Sequence, residues 1–222
     1  MRNKLSLLLI IAGVMLALYP LYTYAYSWYE QYRLQAALES TAVDKAKDLS
    51  PAGEPAKESI QAGDENPVPE GTPPGEMASG GEFNGALLEI PDLNLKVAVV
   101  RGTTQPQLAK GPGWYEESAL PGQGNTCIAG HRTMHGAWFR HLDQLEPEDP
   151  LVLTFEHERY VYRVERVFPI ANNDWSVIQP TEYPALTLTT CHPPGSASQR
   201  LVVRAALDTE QPRQDKDYKM AK

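Results

Sequence analysis

The sequence predicts a mostly β domain, a closed or nearly closed barrel with short inserted helices, carried behind an N-terminal transmembrane helix and a flexible linker. Three observations predict it. Between residues 86 and 207, short apolar or alternating runs recur between turn signals, a pattern that favours a barrel over layered α/β folds. A single long apolar run lies near the N-terminus. Residues 50–81 are dominated by Pro, Gly, Glu and Ala, which bury too little apolar surface to offset their chain entropy.

The N-terminal segment sets the compartment. Arg2 and Lys4 precede a run from Leu5 to Leu21 interrupted by Ser6 and Pro20. As a helix rising about 1.5 Å per residue, Leu5 to Tyr26 spans roughly 33 Å, against about 30 Å for a bilayer core. Tyr19, Tyr22, Tyr24, Tyr26, Trp28, Tyr29 and Tyr32 then read as an aromatic belt at the outer headgroup level. Positive charge ahead of the run keeps the N-terminus cytoplasmic and sends the rest of the chain outside the cell membrane. A cleaved signal peptide is the competing reading, since Thr23 and Ala25 are small residues at cleavage spacing. Tyr24 between them, and the belt beyond them, favour an uncleaved anchor over 1–27.

Residues 28–49 keep helical spacing and prolong the anchor as a juxtamembrane helix. The 50–81 stretch reads as a semi-extended tether that lets a domain stand off the membrane and reach partners. Residues 82–208 form the folded domain, and 209–222 a charged, frayed tail. The net charge of −8, with no Lys/Arg run, argues against a nucleic-acid partner. Only Cys127 and Cys191 occur, in no CxxC or zinc-finger spacing, so neither a disulfide scaffold nor a structural zinc site is indicated.

Within the domain, Ala86–Ile90 and Leu95–Val100 flank a PDLN turn. Asn125–Ala129 is a short strand. Leu151–Phe155 and Arg159–Phe168 form a hairpin around His157 and Glu158. Ala185–Cys191 alternates Leu with Thr, as a strand with one buried face does, and Arg200–Leu207 is a further strand. Between His131 and Leu145, one or two helical turns are expected.

The chemistry centres on Cys191. It ends a strand beside a loop, where a nucleophile is accessible. If the strands on either side of that loop pair as an antiparallel hairpin, Cys191 and Arg200 are cross-strand neighbours on one face. The guanidinium then lies where a tetrahedral oxyanion would develop. A surface arginine at a strand start is the plain alternative. The thiol also needs a proton-transfer partner, and five histidines are available. His192 adjoins Cys191 and points to the opposite face of the strand. His135 and His141 lie on the helical segment, and His157 in the hairpin turn. His131 follows a strand and a bulk-free Gly130, which favours it, although periodicity does not exclude His135.

The segments AGHR with His131, TLTTC with Cys191 and RLVV after Arg200, in that order, resemble the three signature segments of the sortase family. The resemblance runs roughly from Ala86 to Leu207 and includes IPDLNLKVAVVRG and HLDQLEPEDPLVLTF. It implies a closed eight-stranded β-barrel with His131, Cys191 and Arg200 as catalytic residues. It also implies a cysteine transpeptidase that cleaves an LPxTG-like sorting signal of secreted proteins after its threonine. A thioacyl-enzyme then passes the acyl group to a cell-wall amine, such as a peptidoglycan precursor. By the same resemblance Thr190 lines the peptide groove, and the loop from Pro169 to Tyr183 forms another groove wall. The TTCHPPGSASQRLVV run and the single N-terminal anchor are similar to class D, with class E as its neighbour.

No cofactor is expected. Some sortase relatives bind calcium through acidic loop residues; Glu116, Glu117, Asp174 and Glu182 are candidates, but solvated loop charge is the plainer account. Cys127 lies four residues before His131, about 13 Å along a strand, too far for a disulfide to Cys191 if His131 is near that thiol; a small buried side chain is expected. Papain-like proteases place Cys before His, and L,D-transpeptidases place His and Gly just before Cys; Thr189 and Thr190 stand there here. The alternative from another class is a non-enzymatic, membrane-anchored surface β-domain with an inert Cys191.

Overall fold

The computed structural model describes residues 2–48 and 85–209. The expectations for the 50–81 tether and for the tail beyond residue 209 lie outside the described residues. One helix, α1 (Arg2–Asp48), precedes eight strands: β1 (Ala86–Ile90), β2 (Leu95–Arg101), β3 (Gly113–Trp114), β4 (Asn125–Ala129), β5 (Pro150–Phe155), β6 (Glu158–Ala171), β7 (Ala185–His192) and β8 (Gln199–Leu207). A one-turn helix, α2 (Gln105–Leu108), joins β2 to β3.

The strands close into a barrel in the order β1-β2-β3-β4-β7-β8-β6-β5, with β5 pairing back onto β1. Two of the pairings, β2 with β3 and β4 with β7, are parallel; the others are antiparallel. Closure leaves little free edge, which is how a chain of short strands avoids open pairing sites. Inward residues fill the interior, among them Leu88, Val97, Trp114, Ile128, Leu153 and Leu188, each at most 1% exposed.

Alternation located most strands within a residue or two, with three departures. β3 is only two residues long, too short to carry a period. The β5–β6 turn lies at Glu156 and His157, both at positive φ, and Glu158 already pairs with Phe155; the hairpin thus sits one residue before the expected position around His157 and Glu158. β6 runs on to Ala171 through a register shift between Val164 and Arg166, so Pro169 to Ala171 are strand rather than loop. The helical turn expected before Leu145 is the 3-10 turn Leu142–Gln144.

α1 is continuous through the expected anchor and juxtamembrane segments, and it is long and apolar enough to cross a membrane. Beyond Tyr26 it lies against the barrel: Ser27 and Gln31 are buried, and the Trp28 and Trp138 rings are 5.2 Å apart.

Candidate active site

β7 and β8 pair with Cys191 directly opposite Arg200. Opposed residues share a face, and Arg200 Nη1 donates to Cys191 Sγ at 3.6 Å. The same nitrogen donates to the carbonyls of Ala197 and Gln199, at 3.5 and 3.3 Å, which aims the guanidinium along the loop that closes the hairpin. Cys191 is partly exposed and not in a disulfide.

β4 brings His131 to the same end of β7, because the two strands run parallel from Asn125↔Ala185 to Ala129↔Thr189. Two hydrogen bonds extend the alignment past the strand. Gly130 N–H donates to the Thr189 carbonyl at 3.0 Å, and the Thr190 hydroxyl donates to the Gly130 carbonyl at 2.7 Å. Thr190 is 3% exposed, so its side chain sits beneath the surface and latches the two strands. Gly130 is needed for a second reason. A Cβ there would lie 2.5 Å from the Phe139 ring, and Phe139 N–H donates to the His131 carbonyl.

His131 is 8% exposed, and its Nε2 has no hydrogen-bond partner among the described residues. Burial, and secondarily the charge of His135, hold its pKa below the ordinary imidazole value. The two rings are 5.1 Å apart. His141 and His157 lie away from this arrangement, in the loop before the 3-10 turn and in the β5–β6 turn.

Arg132, next to His131 in the AGHR segment, has a role that its sequence position does not signal. It is 2% exposed and joins four partners. Its guanidinium pairs with Asp143 at 2.8 Å, donates to the Arg140 carbonyl at 3.3 Å and to the Cys191 carbonyl at 3.4 Å, and meets His192 Nδ1 at 2.9 Å. Arginine has no acceptor, so Nδ1 of His192 accepts and its proton sits on Nε2. His192 therefore belongs to a network behind the cysteine, on the face away from Arg200. Tyr115 is a second unforeseen neighbour: its hydroxyl bonds Thr189 at 3.1 Å, burial raises its pKa, and the Arg200 charge opposes that rise.

Cys127 is fully buried, and burial pushes its thiol up to about 12. The loop after β6 is pinned from the barrel: Asn125 donates to the Val177 and Gln179 carbonyls, and Arg204 to Val177 at 2.8 Å. Of the acidic candidates for a cation, Glu116 pairs with Arg101 at 2.8 Å and Asp174 accepts from Ser176 N–H. Among the described residues no three His, Cys, Asp or Glu side chains converge.

A family model for the sortase domain matches residues 88–208. The sequence is 33% identical to Sortase SrtE1 of Streptomyces coelicolor, over 63% of this chain and 44% of that protein. It is also 33% identical to Sortase D of Bacillus subtilis, over 53% of this chain and 60% of that one. The chain thus spans less than two thirds of the length of either relative. Among solved structures, Sortase A from Corynebacterium diphtheriae aligns with a TM-score of 0.54 at 29% identity, over 59% of this chain and 63% of that one. A mutant of sortase E from Streptomyces avermitilis aligns at 0.51 and 33% identity, over 56% and 87%. With the match running almost the whole length of a barrel that sets Cys191 against Arg200, the chain belongs to the sortase family.

Proposed function

We propose that this protein is a membrane-anchored extracellular transpeptidase that cleaves an LPxTG-like sorting signal and transfers the acyl group to a cell-wall amine. The observation that carries the reading is the Cys191–Arg200 pair, a partly exposed thiol with a guanidinium at 3.6 Å. The Cys191 thiolate attacks the threonine carbonyl carbon, and the electron pair shifts to the carbonyl oxygen. Arg200 donates to that oxyanion. As the tetrahedral species collapses, the C–N bond breaks and the leaving amine takes the proton of the His131 imidazolium. In the second half the acceptor amine attacks the thioester carbonyl, the C–S bond breaks, the thiolate returns and His131 accepts the amine's proton.

The lowered His131 pKa fits a group that gives its proton up readily, and it leaves the imidazolium a minor form at neutral pH. Thr190 supports the groove from beneath, through its bond to the Gly130 carbonyl. The anchor is α1, with its N-terminus cytoplasmic, because Arg2 and Lys4 precede the apolar run.

The test incubates the chain with a library of sorting-signal peptides and an amine, and identifies products by mass spectrometry. Cleavage after threonine, with the amine joined to the new carboxyl end, is expected. It should be lost in Cys191→Ala and severely reduced in His131→Ala, with milder effects in His135→Ala and His192→Ala. A Cys191→Ala protein that still turns over, or a collapse confined to His192→Ala, overturns the reading.

A further inference from the structure

α1 carries a buried stripe that its apolar run does not account for. Ser27, Glu30, Gln31, Leu34, Gln35 and Leu38 are buried or half-buried, while Trp28, Tyr29, Tyr32 and Arg33 between them are exposed. That spacing marks one helical face, and half of it is polar side chains that reach the barrel backbone. Among the described residues, β2 pairs between Leu95 and Val99 with β1 on one side only, since β3 reaches no further back than Val100. The Gln31 amide covers this open edge as a peptide group would. Its Oε1 accepts from Ala98 N–H at 2.8 Å, and its Nε2 donates to the carbonyls of Ala98 at 2.9 Å and Lys110 at 3.0 Å. One turn further on, Gln35 donates to the Lys96 carbonyl at 3.3 Å. Four helical residues advance about 6 Å and two strand residues about 6.7 Å, so glutamines at this spacing match alternate residues of an adjacent strand. The barrel side is shaped to match, because a Cβ on Gly111 would run into the Gln31 amide.

The same face reaches the loop that carries His131. The Ser27 hydroxyl donates to the His135 carbonyl at 2.8 Å and accepts from Trp138 Nε1 at 3.3 Å. We propose that Gln31 and Ser27 clamp the barrel onto its own anchor, so that the 131–140 loop is held at the lipid headgroup surface. This rests on the reading of α1 as a membrane anchor. A hydrocarbon core of about 30 Å takes about 20 helical residues, which from Leu5 ends at Tyr24. Ser27 then stands about 4.5 Å beyond the hydrocarbon edge, within a headgroup layer of about 5–7 Å. Trp28, its ring tilted against that of Trp138, is 55% exposed and is a side chain suited to that layer, and Met134, next to His135, adds an apolar side chain that is 54% exposed. The partner of this patch is the phospholipid surface itself. A clamped domain works at a fixed height on substrates at the membrane, whereas a tethered one samples the space above it.

The test places the full chain in phosphatidylcholine nanodiscs, in a Cys191→Ala background where buried Cys127 does not label. A nitroxide at Val14→Cys or Met134→Cys is read by collisions with oxygen, which favours lipid, and with a nickel chelate, which favours water. The Val14 label should be in hydrocarbon and the Met134 label at headgroup depth. Ser27→Ala with Gln31→Ala, and separately Gly111→Ala from the barrel side, should shift the Met134 label to the aqueous ratio and leave Val14 unchanged. A Val14 label in hydrocarbon with a Met134 label already aqueous overturns the clamp and leaves the anchor standing. A Met134 depth that neither disruption changes also overturns the clamp. A Val14 label in water overturns the anchor reading and the clamp with it.

Discussion

Arg132 Nη1 meets His192 Nδ1 at 2.9 Å and also faces the Cys191 carbonyl, so a buried guanidinium holds the backbone behind the thiol. Through Asp143 and the Arg140 carbonyl, the same side chain ties that backbone to the far end of the loop that carries His131. Cys191 is thus flanked by two arginines on opposite faces, Arg200 beside the sulfur and Arg132 behind the chain.

Arg132→Lys keeps the charge but lacks the planar fork that reaches several partners at once. We expect a loss of about 1–3 kcal/mol of stability by urea denaturation, the typical range for buried polar groups left without partners. kcat should fall more than KM, because the displaced groups carry the reacting side chains rather than a contact made equally with substrate and transition state. A variant with wild-type stability and turnover would show that the network is incidental.

Arg200→Lys tests the other face. Losing one oxyanion donor costs about 2.7–4 kcal/mol of barrier, or roughly a hundred- to thousandfold in kcat. A lysine there should recover only part of it. Arg204→Lys is the control: it loosens the Val177 loop without touching the sulfur, and should raise KM before it lowers kcat. If Arg204→Lys abolishes kcat and Arg200→Lys does not, the wrong arginine has been placed at the oxyanion.

Thiol chemistry should separate the two cysteines. Cys127, fully buried and with its thiol raised to about 12, should resist iodoacetamide in the native state, while Cys191 alkylates. Peptide mapping after labelling reads this directly. Equal inertness of both would support the non-enzymatic β-domain.

His135 supplies the secondary cause of the low His131 pKa. His135→Gln removes that repulsion, so His131 holds its proton to higher pH. The limb of the kcat/KM profile that follows His131 should move towards alkaline pH, though burial, the larger cause, keeps it below an exposed histidine. The stability effect has a definite sign. A folded pKa below the unfolded value means the unfolded chain takes the proton first, so stability is lost as pH falls from about 6.5 through the folded value. His135→Gln should shrink that acid loss in urea titrations at successive pH values.

Gly130→Ala sets a Cβ 2.5 Å from the Phe139 ring. We expect a loss of about 1–3 kcal/mol, the usual cost of overpacking, together with reduced turnover as the His131 segment shifts. Adding Phe139→Leu should return part of the activity. A double variant no better than the single would place the fault elsewhere.

The local patterns were legible without coordinates. Alternation of Leu with Thr in 185–191 and the apolar runs at 86–90 and 125–129 depend only on neighbours along the chain, and so does the length of the N-terminal apolar run. The pairing of Cys191 with Arg200 followed from two strands and a short loop. What tertiary structure alone decided are contacts between residues far apart in sequence. β3 exists because β2 and β4 lie on either side of two residues. Arg132 is buried because Asp143, Arg140 and the β7 end surround it. Gln31 and Ser27 look like the solvated face of a juxtamembrane helix until the open edge of β2 and the His135 carbonyl supply partners for their amide and hydroxyl. A polar side chain has no local signature of burial. Whether it faces water or a backbone group is settled by which distant strand arrives beside it.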